Sequence, residues 1–208
     1  MSSAGPSPET VGWFGKIPAL GDFVGRGLPA SLLRPWDEWL SAELSEARAL
    51  LAESWAASYR QAPTLCFVLG PGSLDGQAWQ GILLPSVDRV GREFPLTIAQ
   101  CRAPLAVEAP ESPWWGSLVT LGQQIRESSR SADAVDEALG VFVRRSLPPG
   151  QSVESDGWQT PPHRAAMEPG KSAWWRFSAG PLAAGFPAAF DGLPRGAALR
   201  GLFGLAPE

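Results

Sequence analysis

One helical stripe constrains this chain more than any other feature. Apolar residues fall at Trp36, Leu40, Leu44, Ala47, Leu51, Trp55 and Tyr59, in steps of 4, 4, 3, 4, 4 and 4. That spacing keeps returning to one face of an α-helix. The opposite face carries Glu38, Ser45 and Arg48. Pro35 suits a first helical position, and the residue before Pro63 is steered out of the helical region. The pattern therefore predicts a helix over Pro35–Gln61, about 40 Å long at about 1.5 Å per residue. A helix of that length with one apolar face needs a broad apolar surface beneath it, which a sheet supplies.

The surrounding sequence offers that sheet. "TLCFVLG" (64–70) is a continuous apolar strand, and "AWQGILLP" (78–85) is its hairpin partner across "PGSLDGQ". "FPLTIAQC" (94–101) adds another strand, and "VGWFGKIP" (11–18) one more at the start of the fold. "ALGDFVGRGLP" (19–29) reads as loop. Ser112 caps a helix whose first residue is Pro113, with Leu118, Leu121 and Ile125 as its stripe. Ser131 caps a further helix that buries Val135, Leu139, Phe142 and Val143 and ends on Arg144 and Arg145, which complement the helix dipole. Residues 146–170 read as a long loop, "SAWWRFSAG" (172–180) as a strand, and "LPRGAALRGLFG" as a short closing helix. Residues 1–10 read as a flexible lead. The expected fold is α/β of the α+β kind. It is a single domain over 11–208 with a mixed or antiparallel central sheet flanked by long helices, four or five strands and three or four helices.

Composition narrows the function. Of 208 residues, 44% are hydrophobic and 18% charged, enough for a substantial core. The net charge of −4 gives no electrostatic case for nucleic acid or anionic lipid. No run reaches the length of a membrane span, and the N-terminus lacks the basic-then-apolar pattern of a secretory signal. The two cysteines, Cys66 and Cys101, sit in apolar runs and read as buried thiols in a reducing cytoplasm.

Catalytic motifs are scarce. The single histidine, His163, lies in the Pro-rich loop, so any Ser-His or Cys-His arrangement depends on it. One histidine and no close cysteine pair argue against a metal site. "GPGSLDG" precedes a strand where a dinucleotide loop would open a helix, and "GWFGK" lacks the spacing of a phosphate loop. No cofactor is expected. Asp22, Asp75 and Asp88 each stand near glycines, so a hydrolase using loop carboxylates is one alternative. Turn chemistry is the other reading of the same residues.

Two segments place charge inside apolar sequence. "GWFGKIPALGDFVGRGLP" (12–29) holds Lys16, Asp22 and Arg26. "PSVDRVGREFPLT" (85–97) holds Asp88, Arg89, Arg92 and Glu93 between Pro85 and Pro95. The expectation is that Asp22 or Asp88 pairs with Arg26, Arg89 or Arg92, locking the loops together as a joint that borders a partner-binding face. Anion binding by Arg89 and Arg92 is a lesser alternative.

"GWFGKIPALGDFV" followed by "WDEWL" and then by "W-x-G-x-L-x-PSVDRVGR-x-FPLT" closely resembles the TagF family, also called ImpM, of bacterial type VI secretion accessory proteins. The likeness covers roughly residues 11–125, and is weaker through "SAWW" and "FDGLP". It implies a cytoplasmic protein that is not an enzyme. It further implies post-translational repression of secretion by acting on a forkhead-associated (FHA) scaffold protein, with a functional link to a PP2C-type phosphatase encoded separately from this chain. A structural component of the secretion apparatus is the remaining alternative. Motif and resemblance together single out Trp13, Lys16, Asp22, Arg26, Trp36, Asp37, Ser86, Asp88, Arg89 and Arg92 as candidate partner-binding residues.

Overall fold

The computed structural model describes residues 11–102, 112–146, 168–177 and 187–205. The expected lead at 1–10, His163, and residues 147–167 of the expected loop lie outside these. Seven strands form one sheet: β1 (Val11–Gly15), β2 (Val24–Arg26), β3 (Leu65–Leu69), β4 (Ala78–Leu84), β5 (Leu96–Arg102), β6 (Lys171–Arg176) and β7 (Ala188–Asp191). Their spatial order is β2-β1-β5-β4-β3-β6-β7, and every pairing is antiparallel. Of the two arrangements left open by the sequence, the sheet is therefore the antiparallel one.

The continuous apolar runs have a simple cause: both faces of the sheet are covered. On β3, Leu65, Phe67 and Leu69 face one core, while Cys66 and Val68 face the other. The first core lies under α1 (Ala30–Leu51), α2 (Trp55–Gln61) and α5 (Ala197–Phe203), where Trp36, Trp39, Phe67 and Trp174 pack ring against ring. The second lies under α3 (Pro113–Glu127) and α4 (Ala132–Ser146), with Trp115 edge-on to Trp175. The result is a helix–sheet–helix sandwich.

Three expectations need correction. The long helix starts earlier, at Ala30, so Pro35 lies inside it rather than at its first position. It is also interrupted by a 3₁₀ turn at Ala52–Ser54, where Ala52 adopts a φ of +45° and the Ser54 hydroxyl donates to the Leu51 carbonyl. The stripe keeps its phase through that turn because Leu51, Trp55 and Tyr59 all reach the same core. Finally, the segment read as loop at 19–29 contains β2, and β7 had no counterpart. Both are short edge strands with little alternation to reveal them. Ser112 and Pro113 take the positions assigned to them, with the Trp114 N–H donating to the Ser112 hydroxyl oxygen at 3.3 Å.

Candidate functional site

The segment between β4 and β5 folds as a small hairpin of its own. Val87 bridges Glu93, the Asp88 N–H donates to the Arg92 carbonyl at 3.1 Å, and the Phe94 N–H donates to the Ser86 carbonyl at 3.1 Å. Gly91 supplies the left-handed residue at its tip, with φ +84°. Asp88 holds the hairpin from within. Its Oδ1 accepts the N–H groups of Val90 (3.0 Å) and Arg92 (2.9 Å). Its Oδ2 accepts from Arg92 Nε at 2.6 Å and lies 3.3 Å from Lys16 Nζ.

Burial of this carboxylate alone would raise its pKa. The Arg92 amide and guanidinium, the Val90 amide and Lys16 outweigh that and hold it well below the usual carboxylate range. A depressed native value means that Asp88 contributes its full stabilisation above about pH 4 and loses it as pH falls from there through the native value. Melting temperature should therefore fall more steeply below about pH 4 in the wild type than in Asp88→Asn. A pH series of melting curves on both proteins checks this.

The loop after β1 meets this hairpin at three points. Lys16 reaches Asp88, the Arg89 N–H donates to the Leu20 carbonyl at 2.8 Å, and the Arg92 guanidinium donates to the Gly21 carbonyl. Lys16 Nζ also stands 4.8 Å from the centre of the Phe23 ring, which packs edge-on to Phe94 at 4.7 Å. On the opposite side, Glu93 is clamped to the helices. Its nearly buried carboxylate lies 4.0 Å from Arg48 and 3.7 Å from Arg60. Tyr59 completes this side. Its hydroxyl donates to the Ser86 carbonyl and accepts the Ser86 N–H, both at 3.1 Å, and burial pushes its pKa far above the usual phenol value. Tyr59→Phe leaves that buried N–H without a partner and should cost about 1–3 kcal/mol, read as a lower urea midpoint.

The candidate residues thus divide. Lys16, Asp88, Arg89, Arg92 and Ser86 come together at the joint. Asp22 is beside them but does not pair with an arginine; its carboxylate accepts the N–H of Phe23 at 2.8 Å, which is turn chemistry. Arg26 was expected to pair with Asp22 or Asp88, and it does not. Its register partner is Trp13 on β1, so both side chains stand on the face covered by α4. There Arg26 contacts Asp133 (2.6 Å) and Asp136 (2.7 Å), and Trp13 Nε1 donates to Asp136 at 2.8 Å. Trp36 lies under the opposite face, donating to Thr97 Oγ1 at 2.9 Å, and Asp37 accepts from Ser41 one turn on. Sequence reasoning did not assign Glu93, Tyr59, Asp133 or Asp136. Glu93 carried a signal, being the last charge of the hairpin motif. Asp133 and Asp136 carried a weaker one, two acids on adjacent turns at a helix start.

The joint is built to fix geometry. Among the described residues, no group of three or more His, Cys, Asp or Glu side chains converges as metal ligands would. Burial pushes the Cys66 thiol up, away from the reactive thiolate. No described helix is long and apolar enough to cross a membrane.

A family model described as the TagF N-terminal domain, type VI secretion system-associated, matches residues 12–142, a span that runs from β1 into α4 and includes both loops of the joint. Among solved structures, the crystal structure of PA0076 from Pseudomonas aeruginosa PAO1 is similar to this chain. The two are 32% identical over 94% of each chain, with a TM-score of 0.73. No curated protein matches.

Proposed function

The chain belongs to the TagF family of type VI secretion-associated proteins, and from that premise we propose that it is a non-enzymatic cytoplasmic protein that restrains type VI secretion by binding an FHA-domain scaffold. One observation supports a binding role over a hydrolytic one. Asp88, the most enclosed carboxylate of the motif, spends both oxygens on two amides and two cations. A general base needs a raised pKa and a free lone pair facing substrate, and Asp88 has neither. The same bonds make the two motif loops one rigid platform, which is what a recognition surface requires. A PP2C-type phosphatase is the expected functional companion.

The test is genetic and direct. Overproduction in the host should lower export of type VI substrates, and deletion should raise export in the resting state. Unchanged export, together with stoichiometric co-purification with sheath or baseplate, would instead make the chain a structural part of the apparatus.

A further inference from the structure

Three large apolar side chains stand out from the described surface, and two of them, Phe23 (44% exposed) and Val90 (68%), sit on the two loops of the joint. The bonds from Arg89 to Leu20 and from Arg92 to Gly21 hold these loops on one platform. Charge on this platform is sorted by depth. The Asp88 carboxylate is buried, whereas the Arg92 guanidinium that pairs with it is more than half exposed. A guanidinium has five N–H donors, and the bonds of Arg92 to Asp88 and to the Gly21 carbonyl use two of them. Arg89 is exposed with no side-chain partner among the described residues, and its guanidinium passes 3.5 Å from where a Cβ on Gly21 would stand. Of the three carboxylates on the two loops, only Asp22 is exposed. The exposed charges of this face are therefore two arginines, Arg89 and Arg92, against one aspartate, beside the apolar Phe23 and Val90, on a chain whose net charge is −4.

We propose that this face docks an acidic segment of a partner protein, whose apolar side chains cover Phe23 and Val90 and whose carboxylates meet Arg89 and Arg92. The identity of the protein that supplies the segment rests on the scaffold-binding reading above; the chemistry of the segment does not. Exposed apolar groups beside a guanidinium with no side-chain partner among the described residues, Arg89, and one with donors to spare, Arg92, mark a recognition surface. Charge complementarity sets its selectivity and makes association salt-sensitive.

Two titrations of the full chain, followed by amide chemical shifts, separate the claims. One uses the FHA scaffold. The other uses a synthetic peptide of alternating Asp and Leu with one Trp. The face predicts saturable shifts at Gly21–Phe23 and Asp88–Arg92 with either ligand. It also predicts at least tenfold weaker binding in Arg89→Glu/Val90→Glu, with an unchanged melting temperature, and no change in Asp191→Ala at the far edge of the sheet. If the peptide lands on these residues while the scaffold does not bind, the assignment of the partner is wrong and the docking face stands. If the scaffold binds but shifts residues elsewhere, or if neither ligand perturbs these two loops, the docking face is overturned.

Discussion

Asp88→Ala should lower the melting temperature by about 10 °C. The substitution strands Lys16, which is 6% exposed, without its counter-ion, and it removes the acceptor for two backbone N–H groups. Breaking one partner of a buried pair costs about 3–5 kcal/mol, and each kcal/mol moves the midpoint of a chain this size by roughly 2–4 °C. Asp88→Asn keeps one oxygen for the Val90 and Arg92 amides but loses the charge and the Oδ2 acceptor for Arg92 Nε, so its loss should be smaller than that of Asp88→Ala. Lys16→Met added to Asp88→Asn should recover part of that loss, because no buried cation is then left unpaired. Calorimetric melting of the three variants is the measurement. An unchanged midpoint in Asp88→Ala would mean that the carboxylate does not fix the joint.

Gly15→Ala should be the most damaging single methyl addition at the joint. Gly15 ends β1 with φ +130°, a conformation that side chains avoid. A Cβ built there would run into the carbonyl oxygen of Pro95 and stand 3.1 Å from Leu96 Cα. Backbone strain of about 1–3 kcal/mol adds to overpacking of about 1–3 kcal/mol. The close approach is what brings the residue after Gly15 to Asp88, so the added methyl pushes Lys16 away from its partner. Gly91→Ala is the control. Gly91 also has a positive φ, +84°, but nothing lies within 4 Å of its built Cβ, so only the conformational cost of about 1–2 kcal/mol applies. Urea midpoints should rank wild type above Gly91→Ala, and Gly91→Ala well above Gly15→Ala. Equal midpoints for the two variants would remove the steric argument.

What could be read from the sequence follows from the range of each interaction. The α1–α2 stripe is periodic over many turns, so its direction was plain. The break at Ala52 was hidden because Leu51, Trp55 and Tyr59 stay in phase across it. The strands β3, β4 and β5 announced themselves as apolar runs, whereas β2 has three residues, one of them glycine, and offers no pattern. At the joint, the Asp88–Arg92 pair lies four residues apart within one motif and was legible. The contact of Asp88 with Lys16 joins residues far apart in sequence, and only the neighbouring of β1 and β5 in the sheet brings them together. The same holds for Arg26. The motif acids Asp22 and Asp88 drew the expectation, while its partners came from α4. Local chemistry is visible in a sequence; which helix covers which sheet face is not.

The joint links the two motifs that carry the family likeness, and its outward face is the docking surface proposed above. Calorimetric titration of the purified chain with the FHA scaffold tests the central reading, that the chain restrains secretion by binding this scaffold, most directly. Saturable binding at micromolar affinity or tighter, about −8 kcal/mol, is the predicted result. Absence of binding to both the phosphorylated and the unmodified scaffold would contradict it and turn attention to a screen for hydrolase activity.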